Sequence, residues 1–229
     1  MAIAALETKT MSPSSTVFCN GGYQFGKRLY HDWKAGGHGY VDLHNALVHS
    51  CDVYFYTVGQ RMGIDVMAEF GKDFGLGKAT GVELPSERSG IMPSTAWKQK
   101  AKNEQWLPGE TISAAIGQGY VTVTPLQMAS LVGTVANNGV SYRPRLVQAV
   151  MDRTTGNLME IPAVPRGKLS VKPETFRLIK DALADVVTKG TATRAKSSVV
   201  TIAGKTGTAQ VAALRTGPEE SIPKKFRDH

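Results

Sequence analysis

The sequence predicts an α+β fold, mostly helical with a few strands, and three observations carry that expectation. Apolar residues recur at spacings of three and four after Asp42 and again after Lys172, the period of an amphipathic helix. Thr124-Pro125 places a capping residue ahead of a proline in the first turn, the preferred opening of a helix. Near the end, Val199, Val200, Thr201 and Ile202 form a β-branched run, followed by Thr206 and Thr208 spaced by two, as on a strand edge. With 229 residues and 41% hydrophobic content the chain can bury a sizeable core. No internal repeat and no linker demands two folding units, so residues 1–229 read as one domain.

Residues 1–9 read as the end of a helix, because the chain opens directly on an apolar repeat with no cap. Residues 10–40 are Gly-rich and irregular. From Asp42 onward, Leu43, Ala46, Leu47, Ser50, Cys51, Tyr54 and Val58 predict one continuous helix. A second helix runs from about Ile64 to Phe74 and is closed by Gly75 and Gly77. Residues 78–115 predict loop, interrupted by a short helix around Ser94 to Lys102. The helix that opens at Thr124 stops at Asn137-Asn138-Gly139, and "VSYRPRLVQAVMD" after it predicts a strand. Lys172-Pro173-Glu174 opens a last helix, apolar at Phe176, Ile179, Leu183, Val186 and Val187 and closed by Gly190.

No run approaches the length of a membrane-spanning helix, and "MAIAALE" lacks the length and basic flank of a signal peptide. The net charge of +8 permits contact with nucleic acid or an anionic surface. The basic groups of "KQKAK" (98–102), "RPR" (143–145) and "PKKFR" (223–227) are nevertheless scattered, with no aromatics interleaved for base stacking. A solvated basic surface without a nucleic-acid partner is expected.

The segment "AGKTGTAQ", Ala203 to Gln210, fits two anion sites. A phosphate-cradling P-loop needs a glycine five positions before Gly204, and that position is Val199. On a strand, Lys205 and Gly207 share one face and Thr206 and Thr208 the other, while Gly207 lets a ligand backbone approach without a Cβ in the way. That suits a carboxylate-ended peptide laid along the strand; a basic edge that only discourages aggregation is the plainer alternative.

A second constellation lies upstream. Cys19, Asp32, His38 and Cys51 are separated by twelve, five and twelve residues, and all four residue types bind Zn²⁺. A structural zinc ion would pin the Gly-rich loop of residues 20–39 to the helix that carries Cys51. The competing readings are a Cys19 to Cys51 disulfide, two buried free thiols, and a surface His38 between glycines, with His31 as an alternative ligand.

"HDWKAGGHG", "SCDVYFY", "ERSGIMP", "IGQGYVTVTPLQMA" and "GKTGTAQ", in this order and spacing, resemble the transpeptidase domain of class B penicillin-binding proteins, and within them the elongation-specific D,D-transpeptidases. The resemblance covers nearly all of the chain. It implies the β-lactamase-like fold of that family, here incomplete, with the Lys-Thr-Gly strand belonging to a central antiparallel sheet. It also implies serine acyl transfer that cross-links the stem peptides of peptidoglycan. The family works through Ser-x-x-Lys, Ser-x-Asn and Lys-Thr-Gly motifs. The resemblance assigns the second, as Ser-x-Asp, to Ser50 and Asp52 and the third to Lys205, Thr206 and Gly207. Ser50 would relay a proton, Asp52 would bond the acyl side of the stem peptide, and Lys205 with Thr206 and Thr208 would hold its terminal carboxylate. The Thr208 N–H would supply one oxyanion donor. No cofactor is implied for catalysis. Some relatives in this branch have zinc ligands at the places of Cys19, Asp32, His38 and Cys51, which agrees with a structural zinc.

One motif departs from the family. The only Ser-x-x-Lys is Ser221 to Lys224, "SIPK", which follows Lys-Thr-Gly instead of preceding Ser50 and carries Pro223 where a helix would be needed; it reads as coincidence. "TAWK" (95–98) fails for order too. "MAIAALE" resembles the stretch just after the family's nucleophile, so the chain is expected to be a piece truncated at both ends and inactive by itself. The string "IGQGYVTVTPLQMA" favours the synthetic enzymes over D,D-carboxypeptidases and β-lactamase-like hydrolases; a non-catalytic module that binds cell-wall peptides or a morphogenetic partner is the reading from another class. The resemblance further implies the periplasmic face of the bacterial inner membrane, an N-terminal anchor not present in this sequence, β-lactam binding by the full-length enzyme, and an elongation-complex glycosyltransferase and morphogenetic proteins as partners.

Overall fold

The computed structural model describes residues 1–207. It opens on helix α1 (Ala2–Glu7), whose Ile3, Ala4 and Ala5 are buried. Glu7 reaches across to accept hydrogen bonds from Thr175 Oγ1 and from Lys172 N at 3.3 Å, which ties this first helix to the start of the last.

The Gly-rich stretch is more ordered than its composition predicts. Strand β1 (Val17–Cys19) pairs antiparallel with β4 (Gly39–Val41), and β2 (Gly22–Phe25) forms a hairpin with β3 (Arg28–His31) nested between them. Strands of three or four residues are too short to show alternation, so they leave no periodic trace in the sequence.

The helix expected to run on from Asp42 is broken. Helix α2 (Leu43–Val48) starts with Asp42 accepting from Asn45 N at 2.8 Å, and α3 (Asp52–Met62) begins after a turn at residues 49–51. Gly63, at φ 78°, then turns the chain directly into α4 (Ile64–Asp73). Helix α3 is the centre of the core, burying Val53, Tyr54, Tyr56, Val58 and Met62. Its closest neighbour is α6 (Pro108–Ala115), a helix that sequence reading left as loop. A Cβ added to Gly59 of α3 would lie 2.5 Å from the Ala115 Cβ, so the two axes approach as closely as side chains allow. Gly59→Val is expected to destabilise by about 1–3 kcal/mol through overpacking, readable as a lower urea midpoint with an unchanged slope.

Between α4 and α6, helix α5 (Thr95–Lys102) is capped by Ser94, which accepts from Trp97 N at 3.0 Å. Its Lys98 corrects the expectation of a wholly solvated basic run. The side chain is buried, with Nζ 2.5 Å from Glu110 and 3.3 Å from Glu104. Helix α7 (Pro125–Ala136) has a reciprocal cap: Thr124 Oγ1 accepts from Gln127 N at 3.1 Å and Gln127 Oε1 from Thr124 N at 2.8 Å.

The strand expected over residues 140–152 divides at Arg143-Pro144, where proline cannot donate to a ladder. Strand β5 (Val140–Tyr142) pairs with β8 (Pro165–Lys168), and β6 (Ala149–Met151) with β7 (Leu158–Glu160). Helix α8 (Pro173–Thr188) buries Phe176, Ile179, Ala182, Val186 and Val187 and packs on α2 and α1. A single 3-10 turn (Thr193–Ala195) follows.

Residues 201–207 form no strand among the described residues, against the sequence expectation, although Gly204 N donates to Leu183 O at 3.0 Å. Their β-branched composition is right for a strand, but a strand is defined by its ladder, and every described sheet is two-stranded and made by other segments. No helix among the described residues is long and apolar enough to cross a membrane.

Candidate active site and adjoining metal centre

The turn between α2 and α3 builds the site. Ser50 stands in the left-handed region at φ 54°, and Cys51 N donates back to Ala46 O at 2.9 Å, closing α2 in the manner of a left-handed C-terminal cap. A side chain in that conformation costs about 1–2 kcal/mol, which neighbouring contacts must offset. Trp33 provides two of them: its indole N–H is shared between His49 O and Ser50 O, each at 3.0 Å. Its backbone N–H donates to Asp52 Oδ2 at 3.3 Å.

Three distant segments meet at the Ser50 hydroxyl. Lys205 Nζ donates to Ser50 Oγ at 2.5 Å and to Thr206 O at 3.1 Å. Thr191 Oγ1 lies 3.3 Å from Ser50 Oγ and 2.7 Å from Thr206 Oγ1, joining all three into one network. Sequence reading missed Thr191. The signal was the Gly190-Thr191 pair after α8: a Cβ on Gly190 would sit 2.4 Å from Val48 O, and Thr191 N donates to that carbonyl at 3.2 Å, so the turn is pressed onto the end of α2. A Cβ added to Gly207 would meet none of the described residues within 4 Å, which is compatible with the close approach of a ligand backbone. Thr208, expected to hold the carboxylate and to donate an N–H, lies outside the described residues, as do Ser221 and Lys224.

The charges are tuned by burial. Asp52 is pushed up to about 6, first by desolvation and then by the Asp32 carboxylate, with the Trp33 N–H and the Lys205 charge pulling it back. Desolvation lowers Lys205, opposed by Asp52. A lysine moved in that direction, bonded to a serine hydroxyl, can pass protons as well as hold an anion.

Cys19, Asp32, His38 and Cys51 come together directly beneath this turn, with one ligand atom from each within 4.8 Å of all the others. Cys19 Sγ is 3.4 Å from Asp32 Oδ2 and 3.6 Å from His38 Nδ1. Cys51 Sγ is 3.5 Å from Asp32 Oδ2, and His38 Nδ1 is 3.5 Å from Asp32 Oδ1. Tetrahedral coordination at zinc bond lengths of roughly 2.0–2.3 Å separates ligand atoms by roughly 3.3–3.8 Å; these four contacts fall in that range, and the full set of one atom per residue lies within 4.8 Å. The two cysteines are free and buried, so no disulfide joins them, and burial raises the Cys51 thiol above its ordinary value. His38 Nε2 is buried without a partner while Nδ1 faces the cluster. His31, the alternative ligand, sits exposed on β3, outside the group. The donor set thus fits a metal ion. Asp32 Oδ2 also accepts from Val53 N at 3.2 Å in the first turn of α3, so the cluster is continuous with the helix that carries Asp52.

A family model for the penicillin binding protein transpeptidase domain matches residues 1–222. The chain belongs to this family. The transpeptidase domain is 38% identical over 205 residues to peptidoglycan D,D-transpeptidase MrdA of Acinetobacter baumannii, covering 87% of this chain and 30% of the relative. Among solved structures it is similar to penicillin-binding protein 2 (PBP2) of Pseudomonas aeruginosa in complex with WCK 5153, at TM-score 0.81 and 34% identity, covering 92% of this chain and 48% of that one. It is also similar to PBP2 of Helicobacter pylori in complex with MreC, at TM-score 0.78 and 32% identity, covering 91% and 38%. The transpeptidase domain therefore spans about a third of the length of the curated relative it matches. The family's fold is present here, with the sequence-assigned Ser50, Asp52, Lys205 and Thr206 at one place and Thr191 added to them.

Proposed function

We propose that this chain contributes the substrate-carboxylate and proton-relay side of a peptidoglycan D,D-transpeptidase that cross-links stem peptides during cell elongation. The observation that carries this reading is the network in which Lys205 Nζ, Ser50 Oγ, Thr191 Oγ1 and Thr206 Oγ1 converge from three separate segments. An ammonium flanked by hydroxyl donors suits a peptide's terminal carboxylate, and the missing Cβ of Gly207, unapproached by any described residue, suits the peptide backbone that ends in it. In acyl transfer, a serine attacks the D-alanyl carbonyl, and its proton must travel to the leaving amine. Ser50 and Lys205 are placed for that relay, and Asp52 for a hydrogen bond to the acyl-side amide. The attacking serine is assigned to no residue of this chain, because no Ser-x-x-Lys precedes Ser50.

The Cys19, Asp32, His38 and Cys51 group would hold a structural zinc ion that fastens the β1–β4 segment to the start of α3. Likeness to the Pseudomonas aeruginosa PBP2 structure with WCK 5153 and to the PBP2–MreC complex supports small-molecule binding at this fold and a morphogenetic partner. A partner glycosyltransferase and a position at the periplasmic face of the inner membrane belong to the same reading.

The test is binding of an acetylated peptide ending in D-alanyl-D-alanine to the purified chain, followed by amide chemical shifts. Lys205→Ala is expected to weaken binding at least about tenfold, the loss of one charge-assisted contact. The peptide ending in L-alanyl-L-alanine should bind more weakly to the unsubstituted chain. Equal affinity for Lys205→Ala and the parent chain would remove the carboxylate assignment.

A further inference from the structure

Away from the Ser50 and Lys205 network, a cavity of about 250 Å³ opens between the end of α4, helix α7 and the β5–β8 ladder. It is smaller than the roughly 300 Å³ at which pockets for drug-sized ligands begin, so its occupant would be compact. Four cations line it, Lys72, Lys78, Arg166 and Lys168, against a single carboxylate, Asp73. Among the described residues, none of the four has a carboxylate within 4.0 Å, whereas Lys98 has two and Arg143 and Lys189 one each. All four side chains are exposed, so water screens them from one another, and an anion seated in the cavity would be attracted by all four.

The walls are held in place by contacts that leave the charges free. Gln127, buried on α7, donates to Lys78 O at 2.8 Å and Ser89 O at 2.7 Å, fixing the loop that carries Lys78. Arg166 spends one nitrogen on Thr80 O at 3.0 Å, which anchors its guanidinium and leaves further N–H groups for a ligand. Ser130, Ser141 and Tyr142 also line the space, and among the described residues none of their hydroxyls has a hydrogen-bond partner. A guanidinium fork, three ammonium groups and free hydroxyls match an oxygen-rich anion carrying more than one charge.

We propose that this cavity binds a phosphate-bearing group, as a diphosphate or a phosphate ester, at a site separate from the peptide-carboxylate network. The phosphate would sit between Arg166, Lys72 and Lys168, with the hydroxyls donating to its remaining oxygens. The proposal does not depend on the transpeptidase reading.

Titration of the chain with inorganic pyrophosphate at low salt, followed by calorimetry, tests it. Saturable binding near one equivalent is expected, with at least about a tenfold loss in the double variant Lys72→Ala/Lys168→Ala and in Arg166→Gln. The double variant Lys100→Ala/Lys102→Ala removes the same charge from the exposed face of α5 and should bind as the parent does. Equal loss in both double variants would reduce the effect to net charge and overturn the site, as would the absence of saturable binding. Co-sedimentation with phosphatidylglycerol vesicles separates the sources: retention that depends on Lys72 and Lys168 assigns a lipid headgroup, and pyrophosphate binding without retention assigns a soluble phosphate compound.

Discussion

Purified chain supplied with Zn²⁺ is expected to hold about one equivalent, and Cys51→Ala or Cys19→Ala to lose it. The four donors are already gathered within 4.8 Å of one another, so binding asks for a contraction of the group and not for its assembly. The main chemical change is deprotonation: burial holds Cys51 in its neutral form, and ligation needs the thiolate. Uptake at neutral pH should therefore release protons, seen as a binding heat that varies with the ionisation enthalpy of the buffer, and affinity should fall as the solution is acidified. A ligand that binds only the folded chain at a hundredfold its dissociation constant adds about 2.7 kcal/mol, so chelation should lower the melting temperature by several degrees. A chain that stays metal-free after zinc supplementation, or that forms a Cys19 to Cys51 disulfide when folded, would remove the centre.

The second large effect is expected from a glycine that ligates nothing. Gly37 stands at φ 69°, and a Cβ there would lie 2.2 Å from Cys19 O and 2.5 Å from Gly21 N. Both neighbours are backbone, and Cys19 O already accepts from His38 N at 3.0 Å, so it cannot move without disturbing two of the four donor residues. Gly37→Ala combines a left-handed penalty with a clash that cannot relax, together about 3 kcal/mol or more. Its expected readouts are a lower denaturation midpoint and weakened zinc affinity. Gly36→Ala is the control: a Cβ there meets nothing within 4 Å, and both quantities should stay near the parent values. If the two substitutions behave alike, the close packing of Gly37 does not shape the centre.

The long helices were legible because their signals are local. Thr124, Pro125 and Gln127 announce α7, and Phe176, Ile179, Val186 and Val187 trace the buried face of α8. The break at Ser50 was not legible, since the apolar spacing passes through it and neither glycine nor asparagine marks the left-handed residue. What holds Ser50 there is Trp33, seventeen residues away, and a contact of that kind has no period. Helix α6 carried a readable sign, Leu107-Pro108-Gly109-Glu110, in which Glu110 Oε2 accepts from Leu107 N at 2.8 Å. The side-chain identities of the site were visible in motif order. Thr191 was not, because its role comes from the docking of one helix end on another.

Ser50, Cys51 and Asp52 are consecutive, yet each serves a different neighbour. Ser50 meets Lys205, Cys51 faces Asp32 in the buried cluster, and Asp52 accepts from the Trp33 backbone. One inserted or deleted residue between positions 49 and 53 would misdirect all three at once. The spacing of the Cys19–Asp32–His38–Cys51 group and of the Ser50–Lys205 network is therefore one and the same constraint on chain length, although either group can exchange side chains without the other.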